Sequence, residues 1–308
     1  MGCWAIGGTV LADGKPRGWP GADDATSKRA LETALDLGIT LFDTADVYGA
    51  GHSEQLIGET FGARRKDVLI ATKFGKPFDE KRRTRSKSGI VDSEAGIRAA
   101  CEASLRRMKT DWIDLYQFHD GKYDAARIDG IVAVLEKLVE EGKIRAFGWS
   151  TDNPAAARAI ARSANCVAIQ QRLNIYDETS ELIAFCERHG LAALNRNPLA
   201  QGLLTGKFSK ASTLAEGDVR SRWRLADGPE AARLDLFGAI RDWLTVGGRS
   251  PAEGALCWLL ARSSATLPIP GFKNADQVRQ NVRALDFGPL PADAMNAIAA
   301  IMRCGEAA

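Results

Sequence analysis

The sequence predicts an α/β fold, a (β/α)8 TIM barrel that residues 1–308 form as a single domain. Short apolar segments alternate with helical segments eight times, at roughly 30 residues for each strand and its helix. The apolar segments are rich in β-branched residues, which is typical of strands buried on both faces. Alternation of strands with helices favours a parallel sheet, and eight such units fit a closed barrel better than an open sheet.

The first four units carry clear helix signals between their strands. These strands are predicted at residues 2–8, 39–43, 68–73 and 112–119. Asp24 or Thr26 can cap the first helix, and Gly38 ends it. Apolar residues recur at helical spacing over residues 97–108 and again over 131–138. Each of these helices is long enough to cover the strand that precedes it.

The last four units follow the same pattern, with one long interruption. Their strands are predicted at residues 143–150, 166–170, 191–195 and 265–269. Asn153 and Pro154 open one helix, and Ser250 and Glu253 form a capping box at another. Further helices are predicted at residues 180–189, after Asn274 and at residues 292–303. Residues 206–228 are irregular, and because loops of this length are usually functional or disordered, we expect them to cap a substrate site.

Composition excludes several classes of protein. The net charge of +2 is too small for a protein whose main partner is nucleic acid. The six cysteines lack metal-binding or redox spacing, so we expect reduced thiols in a cytoplasmic protein. Three histidines make a histidine-rich metal site unexpected, and no metal is predicted. No apolar run approaches the roughly 20 residues that cross a bilayer, and no signal peptide is present, so no membrane partner is expected. The oligomeric state is left open.

Polar residues stand where successive apolar strands should end. These strand-end residues are Asp43, Lys73, His119, Ser150, Gln170, the pair Arg196 and Asn197, and the pair Gly271 and Lys273. Tyr48 follows Asp43 after a short loop. A single polar residue at such a position can be a simple loop anchor. Because the carboxyl ends of barrel strands meet at one face, the whole set predicts one shared pocket there.

Four of these residues suit the reduction of a carbonyl group. Tyr48 can give a proton to the developing alkoxide as a general acid. A Lys73 ammonium at about 4 Å would stabilise the tyrosinate by roughly 4 kcal/mol at an effective dielectric constant of 20. That corresponds to about 3 pKa units, before burial and the carboxylate of Asp43 oppose it. Asp43 would keep Lys73 charged, and neutral His119 would orient the substrate oxygen.

Seven stretches of the chain match one known family in the correct order. They are G-C-W-A-I-G-G, F-D-T-A-D-V-Y-G-A-G-H-S-E, A-T-K-F-G, D-L-Y-Q-F-H, G-K-I-R-A-F-G-W-S, P-L-A-Q-G-L-L-T-G-K and I-P-G-F-K-N-A-D-Q-V-R-Q-N. From Gly2 to about Asn281 the chain thus resembles the aldo-keto reductase family. The resemblance implies a barrel that uses NADP (NADPH) to reduce a small-molecule aldehyde or ketone. It also implies that Asp43, Tyr48, Lys73 and His119 are the catalytic residues.

The resemblance further implies binding residues. For the cofactor they are Trp4, Asp43, Ser150, Gln170, Arg196, Asn197, Pro198, Leu199, Gly202, Lys207, Gly271, Lys273, Gln277 and Asn281. The candidates for the substrate are Tyr48, His119, Trp149 and Trp223, of which Trp149, like Trp4, is expected near the pocket from its strand-end position. Trp223 is equally compatible with local packing in the long loop. The stretch from Gly202 to Lys207 lacks the glycine spacing of a phosphate-binding loop and corresponds to a cofactor-covering loop of the family.

The chain departs from the family pattern in three places. Arg196 stands where a tyrosine commonly stacks on the nicotinamide, and a guanidinium can also stack on a ring. Gln277 stands where many members have arginine, so Lys273 becomes the expected contact to the 2′-phosphate of NADP. Gln277 can alternatively form a capping box with Asn274. The N-terminal hairpin that commonly plugs the barrel is expected to be short or absent.

Other functions and roles are compatible with parts of the pattern. A nicotinamide-binding regulatory protein would use the same barrel, as the potassium-channel β subunits of this family do. A lyase or aldolase would use Lys73 to form a Schiff base. The basic run over residues 81–87 is interpreted as a solvated loop, with a rim that attracts anionic substrates as the alternative.

Overall fold

In the part of the chain that the structure describes, the strands form two sheets. The computed structural model describes residues 1–86, 88–178 and 180–306. In chain order the strands are β1 (Thr9–Ala12), β2 (Lys15–Gly18), β3 (Leu41–Asp43), β4 (Leu69–Phe74), β5 (Phe78–Asp79), β6 (Thr84–Arg85), β7 (Ile113–Phe118), β8 (Ile144–Ser150), β9 (Cys166–Arg172), β10 (Ala192–Arg196) and β11 (Thr266–Pro268). The larger sheet is parallel, in the order β11-β10-β9-β8-β7-β4-β3.

Helices cover the outside of the larger sheet. They are α1 (Asp24–Asp36), α2 (His52–Phe61), α3 (Glu94–Met108), α4 (Ile128–Glu140), α5 (Pro154–Ile160), α6 (Ser180–His189), α7 (Pro229–Leu244), α8 (Pro251–Leu260), α9 (Ala275–Phe287) and α10 (Ala292–Glu306). Two predicted caps form: the side chain of Asn153 accepts from the N–H of Ala155, and Ser250 and Glu253 form a capping box. The prediction of Asp24 or Thr26 as the cap of α1 is wrong, because the side chain of Asp23 accepts from the N–H of Thr26. Within the described residues no helix has both the length and the apolar character to cross a membrane.

The first residues of the chain close the barrel between β3 and β11, and the β-bridges there are made by Gly2. Gly2 forms one β-bridge to Asp43 in β3 and another to Gly271, just beyond β11. The predicted barrel fold is therefore confirmed, but the prediction of a whole strand over residues 2–8 is wrong. After the backbone N–H of Cys3 donates to Asp43 O at 2.8 Å, the chain turns into a short 3₁₀ helix over Ala5–Gly7. This turn ends the pairing.

The barrel interior explains why polar residues gather at one end. Small or aliphatic side chains fill the inside of the barrel, namely Ala71, Leu115, Ala168 and Leu194. Because side chains on a strand alternate between faces, the residue two positions later also points inward. Those residues are Lys73, Gln117, Gln170 and Arg196. Each strand therefore places an apolar residue inside and a polar residue at its carboxyl end, where the candidate site lies.

The smaller sheet lies beside this end of the barrel. Its order is β2-β1-β6-β5, and it joins the hairpin β1–β2 to strands from the loop after β4. The hairpin follows the Gly2 bridge along the chain. The long loop docks on it, because Asp218 bridges Gly18 and the backbone N–H of Val219 donates to Gly18 O at 2.8 Å. These segments build one wall above the carboxyl ends of the strands.

Candidate active site

The floor of the site is a buried ion pair. Lys73, at the end of β4, donates from Nζ to Asp43 Oδ1 and to the backbone carbonyl of Thr44, both at 2.6 Å. The Lys73 side chain is 0% exposed and that of Asp43 is 3% exposed. Removing an ammonium from water is costly unless an opposite charge and further acceptors replace the water. Asp43 and the Thr44 carbonyl together supply that replacement.

The second carboxylate oxygen of Asp43 is held by two amides. Asp43 Oδ2 accepts from Gln170 Nε2 at 2.7 Å and from Gln117 Nε2 at 3.1 Å. Ser150 Oγ donates to Gln170 Oε1 at 3.5 Å, which extends the network to β8. Five neighbouring strands thus supply one hydrogen-bonded layer. Sequence reasoning missed Gln117, although its position two residues before His119 on a buried strand places it on the same face as Lys73.

Tyr48 lies above this layer. Lys73 Nζ is 5.1 Å from the centroid of the Tyr48 ring. The ring of His119 meets that of Tyr48 edge-on at 5.9 Å, and the ring of Trp4 stacks on it at 5.9 Å. The loop that carries Tyr48 is fixed by the close approach of Gly49, where a Cβ would lie 2.2 Å from Gly7 O. The half-buried phenol is therefore held between Lys73, His119 and Trp4.

The protonation states of the site follow from burial and charge. Burial lowers the pKa of Lys73, but Asp43 and Tyr48 raise it more, so its pKa lies above the ordinary value. Burial raises the pKa of Tyr48 by more than Lys73 lowers it. The depression that Lys73 was expected to cause is thus outweighed, and the phenol keeps its proton at neutral pH. Burial and the cations of Lys76 and Lys73 hold the pKa of His119 well below its usual value, so this imidazole is neutral.

A second group of predicted residues forms a cationic cluster at the far end of the site. Lys273 Nζ donates to Pro20 O at 3.1 Å and lies 5.5 Å from the centroid of the Trp19 ring. The guanidinium of Arg220 lies 4.7 Å from the same ring. Lys207 Nζ lies 4.9 Å and the Arg220 guanidinium 5.2 Å from the centroid of the Phe208 ring, so the three cations share one region. Burial and the charge of Arg220 lower the pKa of both Lys273 and Lys207.

Arg220 was not among the predicted residues. Its guanidinium donates to both carboxylate oxygens of Asp218, at 2.8 and 2.7 Å, and to Gln201 O at 3.1 Å. It also lies 5.9 Å from the ring of Trp223, which packs on Phe208 at 6.0 Å. The long loop is thereby tied to the cationic cluster. No signal in the sequence separates Arg220 from the other basic residues of this loop.

The start of α9 shows the capping interactions that the sequence allowed. Asn274 caps the helix by accepting from the N–H of Gln277 at 3.0 Å, and Gln277 Oε1 accepts from the N–H of Lys273 at 2.8 Å. Asn281, which is buried, donates from Nδ2 to Gly271 O at 3.2 Å. These contacts fix the backbone on which Lys273 stands.

The turn after β10 is tightly folded. Arg196 forms an ion pair with Asp152 and is half-buried. Asn197 has a positive φ of 57°, and its carbonyl accepts from Asn174 Nδ2 at 3.1 Å. Pro198 is buried beside the half-buried Leu199. At Gly202 a Cβ would lie 2.8 Å from Lys207 Cε, so the missing side chain lets Lys207 fold back over the turn.

The predicted tryptophans occupy different surroundings. Trp149 is fully buried in the core, donates from Nε1 to Asp120 O at 2.9 Å and contacts Phe118 and Tyr123. Alternation along β8 turns it away from the face that carries Ser150. The structure thus does not bring Trp149 to Tyr48. Trp4 lies directly against the Tyr48 ring, and Trp223 packs within the long loop.

Comparisons with known proteins are consistent across the chain. The model of the Aldo/keto reductase family matches residues 2–303. An uncharacterized oxidoreductase, YqkF of Bacillus subtilis, is 32% identical over 87% of this chain and 85% of its own length. The glycerol dehydrogenase AKR11B4 of Gluconobacter oxydans is 31% identical, covers 99% of this chain and 91% of its own, and superposes with a TM-score of 0.82. An aldo-keto reductase of Klebsiella pneumoniae, crystallised with NADPH, is 25% identical, covers 98% of this chain and 89% of its own, and has a TM-score of 0.73.

Proposed function

The chain belongs to the aldo/keto reductase family, and from that membership we propose that it is an NADP(H)-dependent oxidoreductase that interconverts an aldehyde or ketone with the matching alcohol. The observation that carries the proposal is the buried Lys73–Asp43 ion pair beneath Tyr48, with neutral His119 beside the phenol. A proton donor over a fixed cation is the arrangement that carbonyl reduction needs.

The residues around the site fit a nicotinamide dinucleotide phosphate. Ser150 and Gln170 offer polar groups on the floor, in the same hydrogen-bonded layer as Asp43, as a carboxamide requires. Lys207 and Lys273 offer two cations at the other end, beside Arg220, whose guanidinium is paired with Asp218. The Nε1 of Trp19 is a buried donor there that lacks a partner among the described residues. Phosphate groups are commonly bound by such donors. Bound NADPH would supply the hydride for the carbonyl carbon.

The chain's own side chains would then handle the proton. Tyr48 Oη gives its proton to the substrate oxygen as that oxygen gains negative charge. The tyrosinate that is left is stabilised by the ammonium of Lys73. Asp43 keeps Lys73 charged and fixes its position, because it holds one oxygen on Nζ and the other on two glutamine amides. Neutral His119 orients the substrate oxygen towards Tyr48.

The proposal is tested by NADPH oxidation with a reactive aromatic aldehyde. We expect Tyr48→Phe to lower turnover by about 10² or more and to leave NADPH affinity, measured by fluorescence titration, nearly unchanged. Tyr116→Phe is the matched control, because the Tyr116 hydroxyl is buried in the core and has no partner among the described residues. A Tyr48→Phe protein within a few-fold of the parent rate would rule out Tyr48 as the acid.

Two other functions give different results in the same assays. A regulatory protein would bind NADPH but would not oxidise it, whichever carbonyl compound is supplied. A Schiff-base lyase would be trapped on Lys73 by borohydride in the presence of a carbonyl compound. The raised pKa of Lys73 argues against the lyase, because a lysine that attacks a carbonyl needs a lowered pKa.

A further inference from the structure

A lysine that no prediction used lies beside His119. The chain leaves β4 at Phe74, whose carbonyl accepts from the N–H of His119 at 2.8 Å. Gly75 then turns with φ of 119°, and a Cβ there would lie 2.8 Å from the Phe118 ring. This turn brings the next residue, Lys76, to the mouth of the site, where its side chain is half-buried.

The cations near His119 are only partly compensated. Burial is the largest cause of the low pKa of His119, and four cations lower this pKa further. They are Lys76, Lys73, Arg85 and Arg196. Lys73 is paired with Asp43, and Arg196 with Asp152.

Lys76 and Arg85 carry the excess charge. Within residues 1–86, 88–178 and 180–306 neither forms a salt bridge or a side-chain hydrogen bond. The carboxylate of Asp120 raises the pKa of Lys76 but forms no hydrogen bond with it. Asp120 accepts a hydrogen bond from the backbone N–H of Lys122. Two positive charges are therefore available at the substrate end of the pocket.

The rest of the basic run is used differently. Arg82 is exposed and pairs with Asp79, and Arg83 donates to Thr9 O at 3.2 Å. Lys81 is exposed, and Lys87 lies outside the described residues. Arg85, on β6, pairs with Phe78 on β5, two residues beyond Lys76, so its backbone lies next to the segment that carries Lys76. Its charge is among the causes of the low pKa of His119, after burial and the two lysines. The described part of the run, residues 81–86, thus lies at the surface, and Arg85 is its member at the rim of the pocket.

We propose that the substrate is an anionic carbonyl compound, whose carboxylate or phosphate group binds to Lys76 and Arg85 while its carbonyl oxygen lies at Tyr48 and His119. This inference rests on the proposed function and names its substrate class. A half-buried ammonium without a partner is costly, and an anionic ligand group would replace the missing counter-charge. Arg85, at the exposed rim, would attract the anion and contact it from the other side.

The test compares pairs of substrates that share the same aldehyde and differ in whether they carry an anionic group. One pair is 4-carboxybenzaldehyde and its methyl ester, and the other is glyceraldehyde 3-phosphate and glyceraldehyde. At low ionic strength we expect kcat/KM to be at least about tenfold higher for the anionic member of one pair, and the advantage to shrink as salt is added. A larger ratio of anionic to neutral kcat/KM in the benzaldehyde pair identifies the anion as a carboxylate, and a larger ratio in the glyceraldehyde pair identifies it as a phosphate.

Variants assign the effect to the two cations. Lys76→Gln should reduce the ratio of kcat/KM for the anionic substrate to that for its neutral counterpart about tenfold, and Arg85→Gln should reduce this ratio by a smaller factor because Arg85 is exposed. Lys81→Gln is the matched control, because it removes the same charge from the same loop at an exposed position. The salt dependence of the parent enzyme tests the proposal without any variant.

The outcomes separate this inference from the proposed function. A protein that reduces acid and ester equally well, or whose preference survives Lys76→Gln together with Arg85→Gln, overturns the anionic substrate and leaves the reductase intact. A protein that reduces no member of either pair overturns both.

Discussion

At the scale of single residues, the proposed chemistry depends on one buried charge, the ammonium of Lys73. The ammonium of Lys73 is taken out of water and is stabilised only by the acceptors around it, chiefly Asp43. Asp43 in turn is fixed by Gln117 and Gln170, so its carboxylate has no freedom to leave Lys73. Because truncating one partner of such a pair leaves the other charge buried and alone, the four side chains act as a unit.

At Lys76 the pH dependence of substrate preference can be predicted. Burial and the charge of Arg85 lower the pKa of Lys76 to about 8, while Asp120 opposes this and Lys73 and Arg196 add to it. Lys76 is a cation below that pH and loses its charge above it. The ratio of kcat/KM for 4-carboxybenzaldehyde to that for its ester should therefore fall as pH rises through about 8. The ratio cancels the titration of groups that act on both substrates, and a ratio constant from pH 6 to 10 would contradict the prediction.

For cofactor choice, Lys273 is the residue to change. NADP differs from NAD by one phosphate, and a charge-assisted hydrogen bond to it is worth roughly 1.5–3 kcal/mol, or about 10- to 150-fold in affinity. We expect Lys273→Ala to weaken NADPH at least about tenfold and NADH hardly at all, with turnover at saturating cofactor preserved. Titration of both cofactors checks this. Equal losses would mean that Lys273 acts through its bond to Pro20 and not through the phosphate.

On the scale of elements, a second buried network joins α2 to α3 outside the barrel. Arg107 donates to Glu54 Oε2 at 2.7 Å and to Glu80 Oε2 at 3.0 Å, and Thr72 donates to Glu54 Oε1 at 2.5 Å. Glu54 is fully buried. Burial and the Glu54 carboxylate raise the pKa of Asp46 well above its usual value. Arg107 is thus the cation that offsets the buried negative charge behind the Tyr48 loop.

Removing this arginine should weaken the fold. We expect Arg107→Met to lower the free energy of unfolding by about 3–5 kcal/mol, because Glu54 is left buried without its counter-charge. Arg106→Met is the control, since Arg106 is exposed on the same helix. Urea denaturation measures both. The double variant Glu54→Gln with Arg107→Met should lose less than the sum of the single losses, and strict additivity would show that the two residues do not interact.

The elements also show how far sequence reasoning reaches. The strands from β3 to β11 that form the barrel, and most of their helices, could be predicted because their apolar patterns and caps are local. Strands β1, β2, β5 and β6 were missed, since they are short, polar and stabilised by pairing with distant segments. The turn Asp13-Gly14 between β1 and β2 was the available hairpin signal.

The candidate site could be predicted in part for the same reason. Strand ends are visible in the sequence, so Asp43, Lys73 and His119 were placed correctly at the mouth of the barrel. The direction in which a side chain points is not visible at a strand end without a fixed register, which is why Trp149 was assigned to the pocket. Arg220 reaches the cationic cluster only through the path of an irregular loop, which local patterns do not determine.

For the whole molecule, closure of the barrel depends on a very short seam, which we define as Gly2 and the two residues it bridges, Asp43 and Gly271. Gly2 is the residue that bridges β3 to the segment after β11, and its N–H donates to Pro270 O at 2.9 Å. The two residues it bridges, Asp43 and Gly271, both belong to the candidate site. The seam therefore couples the stability of the barrel to the geometry of its active end.

The seam can be tested by adding one methyl group. A Cβ on Gly2 would lie 2.7 Å from Ile269 O, and because that neighbour is backbone, the strands must move apart. We expect Gly2→Ala to lower the free energy of unfolding by about 1–3 kcal/mol, the usual cost of overpacking, and to weaken NADPH binding as Asp43 and Gly271 shift. Gly130→Ala, in α4 with no atom within 4 Å of the added Cβ, should leave both unchanged or raise stability slightly. Urea denaturation and cofactor titration of the two variants distinguish the cases, and a Gly2→Ala protein as stable as the Gly130→Ala protein would mean that the barrel is closed by its neighbouring helices and not by this bridge.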